Sequence, residues 1–212
     1  QKGWKLTHIL TTHRHGDHVD GNLMLKQSTG CTIIGPRGEA ELVPGIDQAV
    51  GEGDTFMLGT LEVRVLETPG HTKGHVTYWI PSAEVAFAGD TLFALGCGRV
   101  FEGTAEQMWR SLEKLAKLPP QTTIYCGHEY TLSNGKFALT IEPENEALQA
   151  RVQEVEKKRA RNEPTVPTRI DIEIATNPFL RPHSPAIRKR LGMEGAPDWQ
   201  VFGEVRERKN KS

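Results

Sequence analysis

Four potential metal ligands lie within six residues near the start of the sequence: His13, His15, Asp17 and His18. They come directly after a strand-like run at residues 6–11. Because alternate residues of an extended segment point the same way, His13 and His15 can converge on one ion. Asp17 and His18 follow where the chain turns toward a predicted helix, so they can face a second ion. Imidazole and carboxylate groups suit zinc, iron or manganese, and two adjacent sets of them suit a two-metal hydrolytic centre.

Further ligand candidates recur after later strand-like runs, which a histidine-rich polar loop alone would not explain. His71 and His75 follow the run at 61–68, Asp90 follows the run at 84–88, and His128 follows the run at 122–126. Small residues next to these candidates let the backbone turn sharply and leave room for a bound ion. We expect His75 to orient a ligand or a loop rather than to bind metal itself.

Short strands alternate with helices over residues 1–128, which predicts an α/β body. The residues around Gly59-Thr60 resemble a hairpin, because apolar and charged side chains alternate after the turn. Thr104 and Gln107 fit a capping box at the start of an amphipathic helix. The predicted strands span residues 6–11, 31–35, 54–58, 61–68, 75–80, 84–88 and 122–126, and the predicted helices span 19–27 and 104–118.

Strand signals stop after residue 126, and the rest of the chain is predicted to be helical. A charged helix is expected over 147–161, ended by the proline-containing segment 163–167. Two shorter helices are expected near 184–191 and 197–209. We therefore expect two domains, a metal-binding α/β domain at 1–130 and a helical substrate-binding domain at 131–212.

The net charge of −1 is unevenly distributed along the chain. Residues 151–212 carry 14 Lys and Arg against 9 Asp and Glu, whereas residues 1–150 carry 12 against 18. A basic tail could attract a small anion to the metal edge, and a solvated helix face would explain the same counts. No apolar run reaches the roughly 18 residues of a membrane span. The cysteines form no Cys-x-x-Cys pair, which predicts buried thiols in a reduced compartment.

Four of these segments together resemble the metallo-β-lactamase superfamily. They are His13-x-His15-x-Asp17-His18, Pro69-Gly70-His71-Thr72, Gly89-Asp90-Thr91 and Gly127-His128-Glu129. Within that superfamily, residues 96–104 and 126–131 resemble the glyoxalase II family, the hydroxyacylglutathione hydrolases. The likeness continues through Asn177-Pro178-Phe179-Leu180-Arg181 and the basic segment 206–209. It covers essentially the whole chain, and the motifs are specific in combination.

The resemblance implies an αββα sandwich with an added helical domain, and a centre of two divalent ions. One ion would be held by His13, His15 and His71, and the other by Asp17, His18 and His128. Asp90 would bridge the two, because a carboxylate offers two oxygens to two ions. Zinc is the expected metal, with iron or manganese as alternatives, and Asp17 and Asp90 are expected to be catalytic.

The implied activity is thioester hydrolysis. A metal-bridging hydroxide would cleave S-(2-hydroxyacyl)glutathione, typically S-D-lactoylglutathione, to glutathione and D-lactate, the second step of methylglyoxal detoxification. The family's substrate-binding positions correspond to Arg99, Val100, Phe101, His128, Glu129, Tyr130, Arg206 and Lys209. Some family members have lysine where this chain has Arg99, and tyrosine where it has Phe101. We expect a monomer, cytoplasmic or mitochondrial in a eukaryote, that binds neither nucleic acid nor membrane.

Other interpretations remain open. A persulfide dioxygenase shares the front motif, but binds one iron, oxidises glutathione persulfide and generally lacks the long helical region. A non-catalytic regulatory protein on the same scaffold would tend to lose its metal ligands, which are intact here. The family normally has further strands before the His-rich motif, so a chain that starts at Gln1 is expected to be a partial sequence of an active enzyme.

Overall fold

The structure is a computed structural model that describes residues 3–212. In chain order its strands are β1 (His8–Leu10), β2 (Thr32–Pro36), β3 (Gln48–Val50), β4 (Thr55–Leu58), β5 (Leu61–Glu67), β6 (Val76–Ile80), β7 (Val85–Gly89), β8 (Leu92–Phe93), β9 (Gly96–Cys97), β10 (Thr123–Cys126) and β11 (Thr168–Arg169). Its α-helices are α1 (Gly16–Val19), α2 (Asn22–Thr29), α3 (Ala105–Ala116), α4 (Thr131–Ile141), α5 (Glu146–Ala160), α6 (Ile170–Thr176), α7 (Pro185–Leu191) and α8 (Asp198–Asn210). Short 3₁₀ segments occupy Arg37–Leu42, Pro81–Ala83 and Pro178–Leu180. None of the helices within this range is long and apolar enough to cross a membrane.

Two β-sheets pack against each other. The larger has the order β11-β10-β7-β6-β5-β4, and the smaller is a parallel sheet with the order β1-β2-β3. Alternation along β5 sends Val63 and Val65 toward the smaller sheet, where they meet Ile34 and Val50. Glu62 and Arg64, between them in sequence, stay exposed. The apolar alternation therefore defines the face on which the two sheets meet.

Helices cover the outer face of each sheet. Val19, at the end of α1, packs with Ile33 of β2 over the smaller sheet. On the larger sheet, Ala86 and Ile124 share one core with α3 and with the helices after residue 130. This arrangement is the αββα fold predicted from the resemblance, with the added helical region continuous with the core of the larger sheet. The division of the chain at residue 130 stays a prediction.

Most elements predicted for residues 1–128 are confirmed. The hairpin forms between β4 and β5, with Leu58 paired to Leu61. Helix α3 begins at the predicted capping box, in which the Thr104 hydroxyl accepts from the Gln107 N–H and the Gln107 side chain accepts from the Thr104 N–H. Helices α5, α7 and α8 lie where the sequence places them. All three cysteines are free thiols, and Cys126 is only half-buried.

The prediction that no strand follows residue 126 is wrong. Thr168 and Arg169 pair antiparallel with β10 at the edge of the larger sheet. Two residues are too short to show alternation, so the strand has no sequence signal. The single helix predicted at 19–27 is two helices, α1 and α2, separated at Asp20-Gly21. Helices α4 and α6 and strand β3 are additional to the prediction.

Candidate metal centre

All seven side chains predicted as metal ligands meet at one end of the sandwich. They lie in the loops that follow β1, β5, β7 and β10 and in the short helix α1: His13, His15, Asp17, His18, His71, Asp90 and His128. Strands β7 and β10 run parallel, with Cys126 in register with Gly89. The next residues in each chain segment, Asp90 and Gly127-His128, therefore lie side by side. The side chains form groups of three residues, and within each group the potential ligand atoms lie within 4.8 Å of one another.

The first group contains His13, His15 and His71. His71 Nε2 lies 3.0 Å from His15 Nδ1, and His13 is fully buried beside both rings. His71 and His13 each have one ring nitrogen with a partner outside the group. His71 Nδ1 donates to the Arg99 carbonyl oxygen at 2.9 Å, and His13 Nδ1 lies 3.0 Å from the Thr12 hydroxyl. These contacts orient the remaining nitrogens toward the site.

The second group contains Asp17, His18 and His128. Asp17 Oδ2 lies 3.2 Å from His128 Nε2 and 3.6 Å from His18 Nε2, and the two histidine nitrogens are 3.2 Å apart. This group is more open to solvent than the first, because Asp17 is exposed. The His128 ring stacks on Tyr130, with ring centroids 5.1 Å apart.

Asp90 lies between the two groups. Its Oδ1 is 3.4 Å from His18 Nε2, while its Oδ2 is 3.5 Å from His71 Nε2 and 3.4 Å from His128 Nε2. One carboxylate thus faces members of both groups, as the bridging position requires. Burial raises the pKa of Asp90, but its contact with His18 and the nearby His128 and His71 outweigh this and lower it overall.

The residues present fit divalent ions. Among the residues described, His13 Nε2 and Asp90 Oδ1 are buried polar atoms with no hydrogen-bond partner, which leaves their lone pairs available. Space for an ion is kept by Gly127, where an added Cβ would lie 2.3 Å from Asp90 Oδ1 and 2.7 Å from His18 Cε1. Five imidazoles and two carboxylates are a donor set suited to zinc, iron or manganese.

The protonation states also favour metal binding. Burial lowers the pKa of His13 and of His71, which keeps these rings in the neutral form that ligates metal. Contact with the Asp90 carboxylate raises the pKa of His18, and burial only partly opposes this. His18 must therefore release any proton it carries when a cation binds.

His75 has the orienting role expected from the sequence. It is fully buried, and its Nε2 accepts a hydrogen bond from the Asp90 backbone N–H at 3.1 Å. Its Nδ1 lies 2.9 Å from the Thr68 hydroxyl and 3.1 Å from the Thr91 hydroxyl. Burial, followed by the nearby His71, lowers the pKa of His75 to about 3. A neutral His75 thus fixes the start of the loop that carries Asp90.

Glu39 links two ligand loops, a role with no sequence signal. Its carboxylate is 4% exposed and accepts from the Arg14 N–H at 2.8 Å and from the Gly74 N–H at 2.9 Å. Arg14 lies between His13 and His15, and Gly74 lies in the loop that begins at His71. One buried side chain therefore holds together the two loops of the first group.

Glu39→Gln is expected to weaken metal binding by about ten-fold or more, because outer contacts of metal ligands are worth that much. A glutamine has one acceptor oxygen for two N–H donors, so unfolding should also become easier by about 1–3 kcal/mol. Zinc titration and thermal melting measure the two effects. Glu41→Gln, on an exposed side chain of the same 3₁₀ segment, is the matched control. Equal zinc affinity in both variants would contradict the linking role.

A cavity of about 590 Å³ opens beside the metal ligands. Five of the predicted substrate-binding side chains line it together with His128: Arg99, Phe101, Tyr130, Arg206 and Lys209. Burial, followed by the charges of Arg206 and Arg99, lowers the pKa of Lys209. The cavity therefore concentrates positive charge next to the metal site, which suits an anionic ligand.

Two predicted substrate-binding residues, Val100 and Glu129, do not line this cavity, and a third, Arg206, lines it but is nearly buried. The Glu129 carboxylate points away from the cavity, accepting from Arg159 at 3.0 Å and from the Thr165 N–H at 2.9 Å. Val100 packs against the core of the larger sheet. Arg206 shares the cavity with Lys209 as predicted, yet it is only 7% exposed.

The lining also contains residues that the sequence did not suggest: Phe93, Cys97, Ser133, Asn134 and Ser212. Ser133 and Asn134 belong to α4, which was missed as a helix. The available signal was apolar spacing, since Phe137, Ala138 and Ile141 give α4 a buried face.

The chain was compared with known proteins. A model of the metallo-beta-lactamase superfamily matches residues 1–128, and a model of the hydroxyacylglutathione hydrolase C-terminus matches residues 129–212. Hydroxyacylglutathione hydrolase from Methylococcus capsulatus is 56% identical over 209 residues, covering 99% of this chain and 82% of the relative. The protein of the same name from Rhizobium meliloti is 57% identical over 210 residues, with the same coverage.

Solved structures show the same fold. ETHE1 from Myxococcus xanthus matches with a TM-score of 0.61 and 25% identity, covering 97% of this chain and 76% of that one. BLEG-1 B3 metallo-beta-lactamase also matches with a TM-score of 0.61, at 21% identity. This match covers 82% of this chain and 77% of that one. The fold, the ligand cluster and the high identity to named relatives agree: the chain belongs to the hydroxyacylglutathione hydrolase family of the metallo-β-lactamase superfamily.

Proposed function

We propose that the chain hydrolyses S-(2-hydroxyacyl)glutathione thioesters, S-D-lactoylglutathione in particular, to glutathione and a 2-hydroxy acid such as D-lactate. The observation that carries this proposal is the pair of ligand groups joined by Asp90 at the mouth of a basic cavity. The names of the relatives support the same reaction. A second complete group, Asp17 with His18 and His128, favours this activity over a one-iron dioxygenase.

One divalent ion would be held by His13, His15 and His71. The other ion would be held by Asp17, His18 and His128, and Asp90 would bind both ions. Two ions bound there supply a hydroxide at neutral pH and a positive charge beside the thioester oxygen. We propose zinc as the metal. The chain's own contribution is to present neutral imidazoles, which burial of His13 and His71 ensures, and an ionised Asp90.

The cavity residues position the glutathione portion. Glutathione has two carboxylates and one ammonium group, so its net charge is negative and Arg99 and Lys209 attract it. Phe101 lies against the rings of His15 and His71, with centroids 6.1 and 5.3 Å away, and closes one side of the metal centre. Tyr130 lies on His128 and supplies a hydroxyl on the other side. Side chains arranged in this way would hold the thioester carbonyl next to the ligand cluster.

The leaving group needs no dedicated acid. Hydroxide adds to the thioester carbon, the carbon–sulfur bond breaks, and the sulfur departs as a thiolate whose conjugate acid has a pKa of about 8.5. The carboxylic acid formed then gives its proton to solvent or to the departed thiolate. Such a thiolate is stable enough to leave unprotonated. Among the described residues that line the cavity, the acidic side chains are the proposed metal ligands Asp17 and Asp90, which is consistent with the proposed chemistry.

Metal analysis combined with hydrolysis assays tests the proposal. We expect two divalent ions per chain and hydrolysis of S-D-lactoylglutathione that is lost on chelation and restored by zinc. Iron or manganese at full occupancy would change the metal assignment alone. Oxygen uptake with glutathione persulfide, without thioester hydrolysis, would replace the proposed function with a dioxygenase.

Lys209→Ala is expected to raise KM for S-D-lactoylglutathione about ten-fold, equivalent to roughly 1.4 kcal/mol. The value of kcat should change little, because the side chain binds substrate and transition state alike. Steady-state kinetics separate the two constants. Lys211→Ala removes an exposed lysine two residues away that pairs with Glu207 at 3.0 Å, and should leave KM unchanged. A fall in kcat for Lys209→Ala at constant KM would place this lysine in the chemical step instead.

A further inference from the structure

We propose that Asn177 is a positioning residue for the metal centre and acts through the backbone of residues 96–99. The inference rests on the metal centre of the proposed function. Asn177 begins the segment Asn177-Pro178-Phe179-Leu180-Arg181, which resembles the family but has no part in substrate binding or chemistry as described above. Its side chain is fully buried between α6 and the β8–β9 turn.

The amide of Asn177 holds the β8–β9 turn from the side of the helical region. Its Nδ2 donates to the Gly96 carbonyl oxygen at 3.0 Å and to the buried Glu173 carboxylate at 2.9 Å. Its Oδ1 accepts from the Phe179 N–H at 3.0 Å. Glu173 in turn accepts from the Leu95 N–H at 2.9 Å. Asn177 therefore connects two sides of the turn at once.

The turn needs such support because of its backbone conformation. Leu95 has φ of +58°, in the left-handed region that residues other than glycine rarely adopt. This conformation persists only when surrounding contacts determine it. The contacts come from beyond residue 130: Asn134 donates to the Ala94 carbonyl at 3.1 Å, and Arg206 donates to the Cys97 carbonyl at 2.9 Å.

The chain that leaves the turn lies directly against the metal ligands. An added Cβ on Gly98 would lie 1.9 Å from the Asp90 carbonyl oxygen and 3.2 Å from His71 Nδ1, so the two segments are in close contact. The next carbonyl, that of Arg99, accepts the hydrogen bond from His71 Nδ1. This bond fixes which nitrogen of His71 faces the site. A shift of residues 96–99 would therefore rotate His71.

A second connection reinforces the first. Phe179, two residues after Asn177, is fully buried and lies under the Arg206 guanidinium, 5.1 Å from its ring centroid. Arg206 is the residue that holds the Cys97 carbonyl. The segment that starts at Asn177 thus supports the Gly96 and Cys97 carbonyls, one directly and one through Arg206.

Zinc titration of the metal-free full chain, in competition with a chromophoric chelator, tests the proposal. For Asn177→Ala we expect one of the two zinc equivalents to bind about ten-fold more weakly. This is the lower end of the effect of losing a direct outer contact of a ligand, because Asn177 acts on His71 through the backbone. Asn145→Ala is the matched control. Asn145 also caps a helix, accepting from the Leu148 N–H, and donates to a glutamate and to a backbone carbonyl, but it contacts only helical segments.

The outcomes are distinguishable. Loss of zinc affinity in Asn177→Ala, with parental affinity in Asn145→Ala and lower thermal stability in both, would support the positioning role. Parental zinc affinity in a destabilised Asn177→Ala would overturn it and leave Asn177 as a structural residue. Should that variant not fold, Asn177→Ser, which keeps a hydroxyl at the position, takes its place with the same criteria. A parent chain that binds neither zinc nor any other divalent ion would overturn the proposed function and this inference together.

Discussion

Asp90→Asn is expected to lower kcat/KM for thioester hydrolysis by about 10³-fold or more, which corresponds to roughly 4 kcal/mol of lost transition-state stabilisation. The carboxylate is the only proposed ligand whose two oxygens face members of both groups, His18 on one side and His71 with His128 on the other. An amide keeps the shape but removes the negative charge and one strong donor oxygen. We therefore also expect the zinc content to fall from two equivalents toward one.

The matched control is Asp20→Asn. Asp20 is an exposed carboxylate at the end of α1, on the same loop as the His-rich motif, and belongs to none of the ligand groups. It should keep parental activity and metal content. An Asp90→Asn variant with two tightly bound zinc ions and parental kcat/KM would refute the bridging role.

The metal-free protein should lose stability steeply as the pH falls below 6.5. His75 is fully buried, and burial lowers its pKa to about 3. In the unfolded chain the same ring takes up a proton near pH 6.5, so acid stabilises the unfolded state. Integrated from pH 6.5 to about 3, this single histidine would cost about 4–5 kcal/mol of unfolding free energy, a large part of a typical total.

Other groups shift the pH dependence in known directions. The lowered pKa values of His13 and His71 add to the acid sensitivity. The raised pKa of His18 has the opposite effect: it stabilises the folded state below pH 6.5, and this stabilisation is lost as the pH rises through the pKa of His18 in the folded state. The lowered pKa of Asp90 gives stability that is present above pH 3.8 and is lost in stronger acid. Between pH 6.5 and 4 the buried neutral histidines should therefore dominate.

Urea unfolding of chelator-treated protein at several pH values measures this effect. His75→Gln should lower stability at pH 7.5 but flatten the dependence on pH, since glutamine can accept from Asp90 without titrating. His183→Gln, at an exposed histidine, is the control and should keep the parental slope. An unchanged slope in His75→Gln would show that His75 is not the main source of acid sensitivity.

The candidate ligand cluster can be predicted from sequence because its signals are local. Each ligand follows a strand, and Asp90 and His128 each come directly after a glycine, so type and spacing are visible without the fold. Their convergence depends on register, and the parallel pairing of β7 with β10 has no sequence signal of its own. The sandwich can be predicted from the apolar alternation in β5 and from the apolar runs that form β6 and β7.

The features that the sequence did not predict depend on contacts between segments that are distant in sequence. Helix α4 contains Ser133, Asn134 and Gly135, which are weak helix formers. Its apolar side chains find their partners in the β8–β9 turn, in α5 and in the shared core. Glu39 and Asn177 are polar residues whose role appears only when their hydrogen-bond partners, far away in sequence, are known. Sequence spacing placed Arg206 on the correct face, but could not show that its guanidinium is bound to the Cys97 carbonyl.

The continuous core under the larger sheet has an evolutionary consequence. Ala86 and Ile124 belong to the same apolar core as Phe202 and Val205 of α8, so the helical region is not an independent folding unit that a relative could supply unchanged. A transplanted helical region would have to match the sheet surface as well as the substrate. Changes in thiol preference are therefore expected to arise by stepwise substitution at cavity-facing positions of α4 and α8, while their core-facing positions change only together with the sheet.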